Sequence, residues 1–349
     1  MIRRRSVSSR SLAIFTRQFS LMIGAGLPLV QCLELLGKEE PEARFGQTLA
    51  NLRADVEAGA SLADAMRKQP HAFNELYVSM IAAGEAGGVL DTILTRLSGF
   101  LEKQARLKAR VRAAMVYPAC VLAVAVVVIA VILVKVVPTF TELFAGLGAT
   151  LPLATRVVIW MSERTALAVP FAAAAAVSGG YLTRRYYRTA AGGVRLDGLM
   201  LRLPLIGAVA RKVAVARFCR TLGALLGSGV AILEGLEITA RAAGNAVIER
   251  AVRRARVRIE HGETIAAPLR ASGAFPGMVV QMIAAGETTG ALDTMLGRIA
   301  DIYEDEADVA IGALLSMLEP ALIAVLGVIV GGIVVSMYLP LFELVEQLS

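Results

Sequence analysis

Three stretches without a single Asp, Glu, Lys or Arg constrain what this chain can fold into more than any other feature. Between Arg112 and Lys135 lie 22 uncharged residues, between Arg164 and Arg184 lie 19, and between Glu319 and Glu343 lie 23. At a rise of about 1.5 Å per residue, each is long enough as a helix to cross a hydrocarbon core of roughly 30 Å. The first and third are dense in Val, Ile and Leu; the second is Ala-rich and carries Pro170 and Gly179-Gly180. Hydrophobic residues make up 56% of the chain and charged ones 19%, against about 45–50% and about 25% in soluble domains. The chain therefore reads as a membrane protein with sizeable soluble parts. Cys32, Cys120 and Cys219 are far apart and odd in number, which excludes a disulfide framework and fits free thiols in a reducing compartment.

Orientation follows from the basic residues that flank the spans. Lys103, Arg106, Lys108, Arg110 and Arg112 precede the first, and Arg184, Arg185, Arg188 and Arg195 follow the second. The connection between these spans holds only Arg156 and Arg164, and no basic residue follows Glu319. Both large charged blocks are expected in the cytoplasm. The amino terminus is basic, but its apolar run stops after Phe15, too short for a signal-peptide core. The expected order is a first cytoplasmic helical domain at 1–112, a transmembrane helix at 113–137, a short periplasmic loop at 138–164 and a second transmembrane helix at 165–183. A second cytoplasmic helical domain at 184–315, a third transmembrane helix at 316–340 and a periplasmic tail at 341–349 complete it.

The two charged blocks are copies of one another. MIAAGEAGGVLDTIL at 80–94 aligns with MIAAGETTGALDTML at 282–296 with 11 of 15 identities at an offset of 202. Upstream, 22–36 aligns with 225–239 at an offset of 203, pairing Gly24 with Gly227 and Gly26 with Gly229. A single deletion between residues 66 and 73 accounts for the shift. Downstream the offset of 202 persists through Pro118 with Pro320 and Pro138 with Pro340. Each copy is a module that ends in an outward-going span.

Apolar residues recur at three- and four-residue intervals through Leu12–Ile23, Leu27–Leu36, Leu49–Val56 and Val89–Leu107, with no strand-like alternation longer than four residues. Breaks fall at Gly24 to Gly26, at Pro41, at Gly59 ahead of the Ser61-x-x-Asp64 capping box, and at Asn74. The fold class is all-α: an integral membrane protein with three transmembrane helices and two homologous cytoplasmic helical bundles of six helices each.

The chain carries no nucleotide-binding loop, no HExxH, no GxSxG and no paired CxxC. His71 and His261 are isolated. The net charge of +7 is accounted for by topology-setting residues and anionic lipid; without aromatic stacking platforms, nucleic acid is not an expected partner. What remains is the duplicated Gly-Glu corner. Gly84 and Gly286 permit close helix approach, Gly88 and Gly290 break the helix, and Asp91 and Asp293 open the next one near its positive end. Glu85 and Glu287 have two readings, a structural one within the fold and a partner contact that would include Gly84 and Gly286. Two charged helix faces also stand out. Lys103, Arg106 and Arg110 share one face ahead of the first span, and Asp301, Glu304, Asp305 and Asp308 share one ahead of the third. They have two readings: two solvated faces, the basic one serving topology, or, because the acidic face lies close to an anionic leaflet, a contact with a basic face on a neighbouring module, another copy or a partner.

Taken with the Gly-x-Gly elements at 24 and 227, the spans entered at Tyr117-Pro118 and Glu319-Pro320 and the LPLATRVVIWMS segment from Leu151, the duplicated A-A-G-E-x-x-G-x-L-D resembles the F protein family of type II secretion systems. The inner-membrane platform protein of type IV pili is its close sibling. The resemblance spans about Leu12 to Leu344. It implies a non-enzymatic, multi-pass protein of the bacterial inner membrane with its amino terminus in the cytoplasm. It would couple a cytoplasmic secretion ATPase to the assembly of pilin-like subunits, alongside other inner-membrane platform components, membrane lipid and further copies of itself. No cofactor is implied beyond calcium in the first module, for which Asp91 is the matching position; Thr95, one turn on, is not a carboxylate. The alternative is a small-solute transporter built from two repeats, although the spans lack the polar midplane site such a protein needs.

Overall fold

The computed structural model describes residues 7–147, 152–187, 189–204 and 206–348. Among them every regular element is helical, as the periodicity requires. The first module comprises α1 (Ser9–Gly24), α2 (Leu29–Glu39), α3 (Ala43–Glu57), α4 (Leu62–Arg67), α5 (Glu75–Gly87) and α6 (Leu90–Val131). A π-helical turn, Ile132–Val136, joins α6 to α7 (Val137–Leu147), which is followed by α8 (Leu153–Tyr187) and α9 (Ala190–Arg202). The second module repeats the first as α10 (Ile206–Gly227), α11 (Ile232–Ala242), α12 (Ala246–Glu260), α13 (Ala266–Ala271), α14 (Gly277–Thr289) and α15 (Leu292–Leu348). The one-residue change of register between copies falls in the connection between α4 and α5.

Helix ends obey local chemistry. Ser61 Oγ accepts the Asp64 N–H at 3.0 Å, as the capping sequence predicts, and at the Asn74 break Asn74 Oδ1 accepts the Tyr77 N–H at 2.9 Å and caps α5. α1 ends ahead of Gly26, which stands at φ +84°, a conformation a side chain would disfavour.

The two modules together form one compact unit, Met1–Arg110 with Val194–Ala310. The core of the first module is aromatic. Phe15, Phe19, Phe45, Phe73 and Tyr77 pack with ring centroids 5.0–6.3 Å apart, and the buried Tyr77 hydroxyl pairs with Thr16 at 3.1 Å. The second module keeps the pair equivalent to Phe15 and Phe73, Phe218 and Phe275 at 4.8 Å. It replaces the hydrogen-bonded couple by buried Cys219 and Val279. Exchanging both partners at once leaves no orphaned polar group, which is why the copies can differ there.

The second unit is Val111–Gly193 with Ile311–Ser349. Among the described residues, two helical stretches, Met115–Leu143 and Leu292–Pro340, are long and apolar enough to cross a membrane; the third stretch expected from sequence, 165–183, lies within α8. The connection at 138–164, read from sequence as a loop, holds most of α7 and the start of α8, and Val158 of α8 packs with Leu133, Val137, Ile333 and Met337.

Two prolines explain that packing. Pro138 has no N–H, and in the π turn the Val137 N–H bonds to Ile132, so the Leu133 carbonyl loses both of its helical donors. Ser162 Oγ donates to it. Pro340 likewise frees the Ser336 carbonyl, which Thr155 Oγ1 reaches at 2.5 Å. Thr155 and Ser162 are two turns apart on α8 and both are buried. A single helix face thus satisfies the carbonyls that two repeat-equivalent prolines release. Thr155→Val and Ser162→Ala should each destabilise the protein by about 1–3 kcal/mol, the penalty for an unsatisfied buried acceptor; thermal unfolding in detergent measures it, and a wild-type midpoint for both would remove this role.

Candidate functional site at the module corners and junction

The duplicated Gly-Glu motif forms a corner in which α5 doubles back onto α6, and α14 onto α15. A Cβ at Gly84 would lie 2.9 Å from Ile93 Cγ1 and 3.3 Å from Leu90 Cα, and one at Gly286 would lie 3.0 Å from Met295 Cβ and 3.1 Å from Leu292 Cα. No side chain fits at either position. Gly88 and Gly290 close their helices at φ +65° and +70°. The Val89 and Ala291 N–H groups then bond to the Gly84 and Gly286 carbonyls at 2.9 and 3.0 Å, the pattern of a left-handed helix end.

The carboxylates of this motif turn onto the chain's own backbone. Glu85 accepts the Leu62 N–H at 2.6 Å and the Ala63 N–H at 2.9 Å. Glu287 accepts those of Ile265 and Ala266 at 2.8 and 3.3 Å. Each therefore sits at the positive end of a short helix, α4 or α13, where unpaired N–H groups attract an anion. In α4 the arrangement is complete: Glu85 takes the first two donors and Ser61 the third. Asp197 of α9, which the sequence reading passed over, does the same for α12 by accepting the Ala246 N–H at 2.6 Å.

Asp91 is the position that the resemblance matches to calcium. It is an exposed residue in the first turn of α6, and Thr95 nearby bonds to Ser20 at 3.0 Å and to the Asp91 carbonyl at 2.9 Å. Among the described residues, no three His, Cys, Asp or Glu side chains come together as metal ligands. These residues do not fit a calcium ion.

The charged faces do meet, within one chain. Lys103 Nζ lies 2.7 Å from Asp301 Oδ1. The principal cation is Arg220 of α10, whose Nε and Nη2 reach the two Glu304 oxygens at 2.9 and 2.8 Å and whose Nη2 reaches Asp301 at 2.5 Å. Lys212 holds Glu306 at 2.9 Å. Arg106 turns to Glu102 of its own helix at 3.8 Å, Asp305 is exposed and Asp308 is half-buried; the Arg110 side chain lies outside the described residues. Burial works against the Arg220 charge, but its bonds to Glu304 and Asp301 outweigh that and hold its pKa above the ordinary arginine value. Partial burial likewise opposes ionisation of Asp301, yet Lys103 and Arg220 hold its carboxyl below the usual aspartate range. A carboxyl depressed in the folded state stabilises fully above its unfolded pKa, and that contribution is lost as pH falls through the folded value. Arg220 had one sequence signal, a lone charge pair with Arg217 in the otherwise apolar run from Val213 to Leu226.

Comparison with known proteins places these features in a common frame. The chain matches the family described as type II secretion system (T2SS), protein F over residues 15–138 and again over 218–340. It is 46% identical to the type IV pilus assembly protein PilC of Myxococcus xanthus, covering 97% of this chain and 81% of that protein. It is 44% identical to the type IV pilus assembly protein PilC of Thermus thermophilus, covering 97% and 84%. To the type II secretion system protein F of Pseudomonas aeruginosa it is 35% identical, covering 97% and 84%.

Two outcomes follow from the geometry. Glu85→Ala and Glu287→Ala should each lower stability by about 1–3 kcal/mol, the range for removing charged acceptors from helix N–H groups. A variant that keeps its thermal midpoint and its membrane level but loses function would assign the carboxylate to a partner instead. In double-mutant cycles to Ala, Lys103 with Asp301, both about half exposed, should couple by about 0.2–1 kcal/mol. Arg220 with Glu304 should couple by about 1.5–3 kcal/mol; equal couplings would mean that Arg220 does not organise the junction.

Proposed function

The chain belongs to the family of type II secretion system protein F, and from that membership we propose that it is a non-enzymatic inner-membrane platform protein on which pilin-like subunits are assembled into a filament. The observation that carries this reading is the double family match. Each matched segment is a six-helix module whose last helix continues into an apolar stretch. α6 and α15 each contribute residues to both compact units, so a displacement of the modules has a covalent helical route into the apolar part. ATP hydrolysis in a cytoplasmic secretion ATPase would supply that displacement, with other inner-membrane platform components and lipid around it. The higher identity to the type IV pilus proteins, 46% and 44% against 35%, favours pilus assembly over protein secretion.

In this reading both modules are cytoplasmic and α8 supplies a third crossing that returns the chain to the cytoplasm. Arg184 and Arg185 at its carboxyl-terminal end support that direction.

Deletion of the gene should abolish surface pili, and a plasmid-borne copy should restore them. Pili unchanged with secretion lost would favour the type II secretion arm, and both unchanged would overturn the platform reading. Topology is tested separately in a Cys120→Ser background. Ser61→Cys and Ser272→Cys should be shielded from an impermeant maleimide in spheroplasts and Leu153→Cys should react; labelling at Ser61 reverses the orientation.

A further inference from the structure

The two modules of one chain pack through unlike faces, and each leaves its other face uncovered. α5 of the first module packs on α10 and α11 of the second, and Leu225, Val230 and Ile238 of the second module join the core of the first. Around this contact the Glu75 carboxylate meets Arg241 at 3.0 Å and Arg96 donates to the Gly227 carbonyl. A two-fold arrangement would also pack α14 on α1 and α2. Those helix pairs make no comparable contact, so the junction is of the head-to-tail kind.

The repeat identifies the unused halves of the same junction. Leu76, Ser79, Met80 and Ala83 lie on one α5 face at intervals of three and four. Their equivalents on α14 are Met278, Gln281, Met282 and Ala285. Leu76 is 4% exposed and Met278 is 62% exposed. Met80 is fully buried and Met282 only partly; Ser79 and Ala83 are half-buried where Gln281 and Ala285 are exposed. On the opposite side, Ala224, Leu225 and Ile238 correspond to Leu21, Met22 and Leu35. Ile238 is 3% exposed, whereas Leu35 is 43% and Leu21 is 66% exposed. Gly227 corresponds to Gly24, and Arg96 to the exposed Arg298.

We propose that a second copy of this chain occupies these faces by repeating the internal junction. The α14 face of one copy packs on the α1–α2 face of the next, and Arg298 donates to the Gly24 carbonyl as Arg96 does to Gly227. The occupant is a second copy because the two free surfaces are the homologues of two surfaces that already fit one another, and the proposed contact is the continuation of that interface. The large apolar residues at their centres are of the kind that an interface buries. One element is not duplicated. Arg241 corresponds to Lys38, but Glu75 corresponds to Gly277, so the contact between copies lacks the internal ion pair. Lys38 bonds instead to Glu34 at 2.7 Å. The joint between copies is therefore the weaker one, able to open while each chain stays intact.

Bismaleimide cross-linking in the membrane tests this on the full-length protein with Cys120, the one exposed cysteine among the described residues, changed to Ser. Glu75→Cys with Arg241→Cys in one chain calibrates the internal junction by closing a loop within the chain. At the equivalent positions, chains with Lys38→Cys co-expressed with chains with Gly277→Cys should give a band at about twice the chain mass, and neither variant alone should give one. Adding Met278→Asp should reduce that band at least tenfold with the thermal midpoint unchanged, since the residue is exposed within the chain. Three results would each overturn the proposal: no mixed band while the internal pair closes, a band from Lys38→Cys alone, or a mixed band indifferent to Met278→Asp.

Discussion

A backbone group that loses its helical partner must find another, and in this protein the replacements come from other helices. Glu85, Glu287 and Asp197 take the free N–H groups at the starts of α4, α13 and α12. Ser162 and Thr155 take the carbonyls released ahead of Pro138 and Pro340. Arg96 takes a carbonyl at the end of α10, where the helix dipole also favours a cation. A cap drawn from the neighbouring residue, such as Ser61, fixes only its own helix. A cap drawn from a distant helix fixes two helices against each other, so the same bond that satisfies the backbone also sets the packing.

This explains what could be read from the sequence and what could not. The helix breaks within the modules, the repeat, the glycine corner and the opposite charges on two helix faces depend on residues close in sequence or on internal self-similarity, and these were legible. The roles of Asp197, Thr155 and Ser162 depend on partners between 29 and 181 residues away, and no local pattern announces them; Arg220, 84 residues from Glu304, shows in sequence only as one of two arginines in an apolar run. The twin carboxylates are the intermediate case. Their partners lie 21 to 23 residues upstream, near enough for the motif to be noticed, but a glutamate that caps a helix looks in sequence like one that meets a partner. The Ala-rich 165–183 stretch forms part of the longer helix α8.

The charged junction shows how equivalence within a repeat can mislead. The offset of 202 makes Lys103 the counterpart of Asp305, yet Lys103 pairs with Asp301, one helical turn away. Counterparts face each other only close to the axis that relates the copies, and modules joined head to tail present different residues along the rest of the boundary. In the second compact unit counterparts do meet: Tyr117 donates to Glu319, its equivalent, at 3.1 Å.

Joining unlike faces also accounts for the divergence in sign between α6 and α15. In an assembly of identical single modules, any residue placed at the head of one junction recurs in every copy. A basic α6 could then meet an acidic helix only if each module carried both charges in different places. Once two modules are fused, each junction surface changes independently. One helix then becomes basic with Lys103 and the other acidic with Asp301 and Glu304, and the Arg220 guanidinium neutralises what remains between them. The surfaces that still face outward on α1, α2 and α14 have not diverged in this way. They keep apolar residues in the places where the internal junction has them, which is the pattern expected if those surfaces have continued to meet each other.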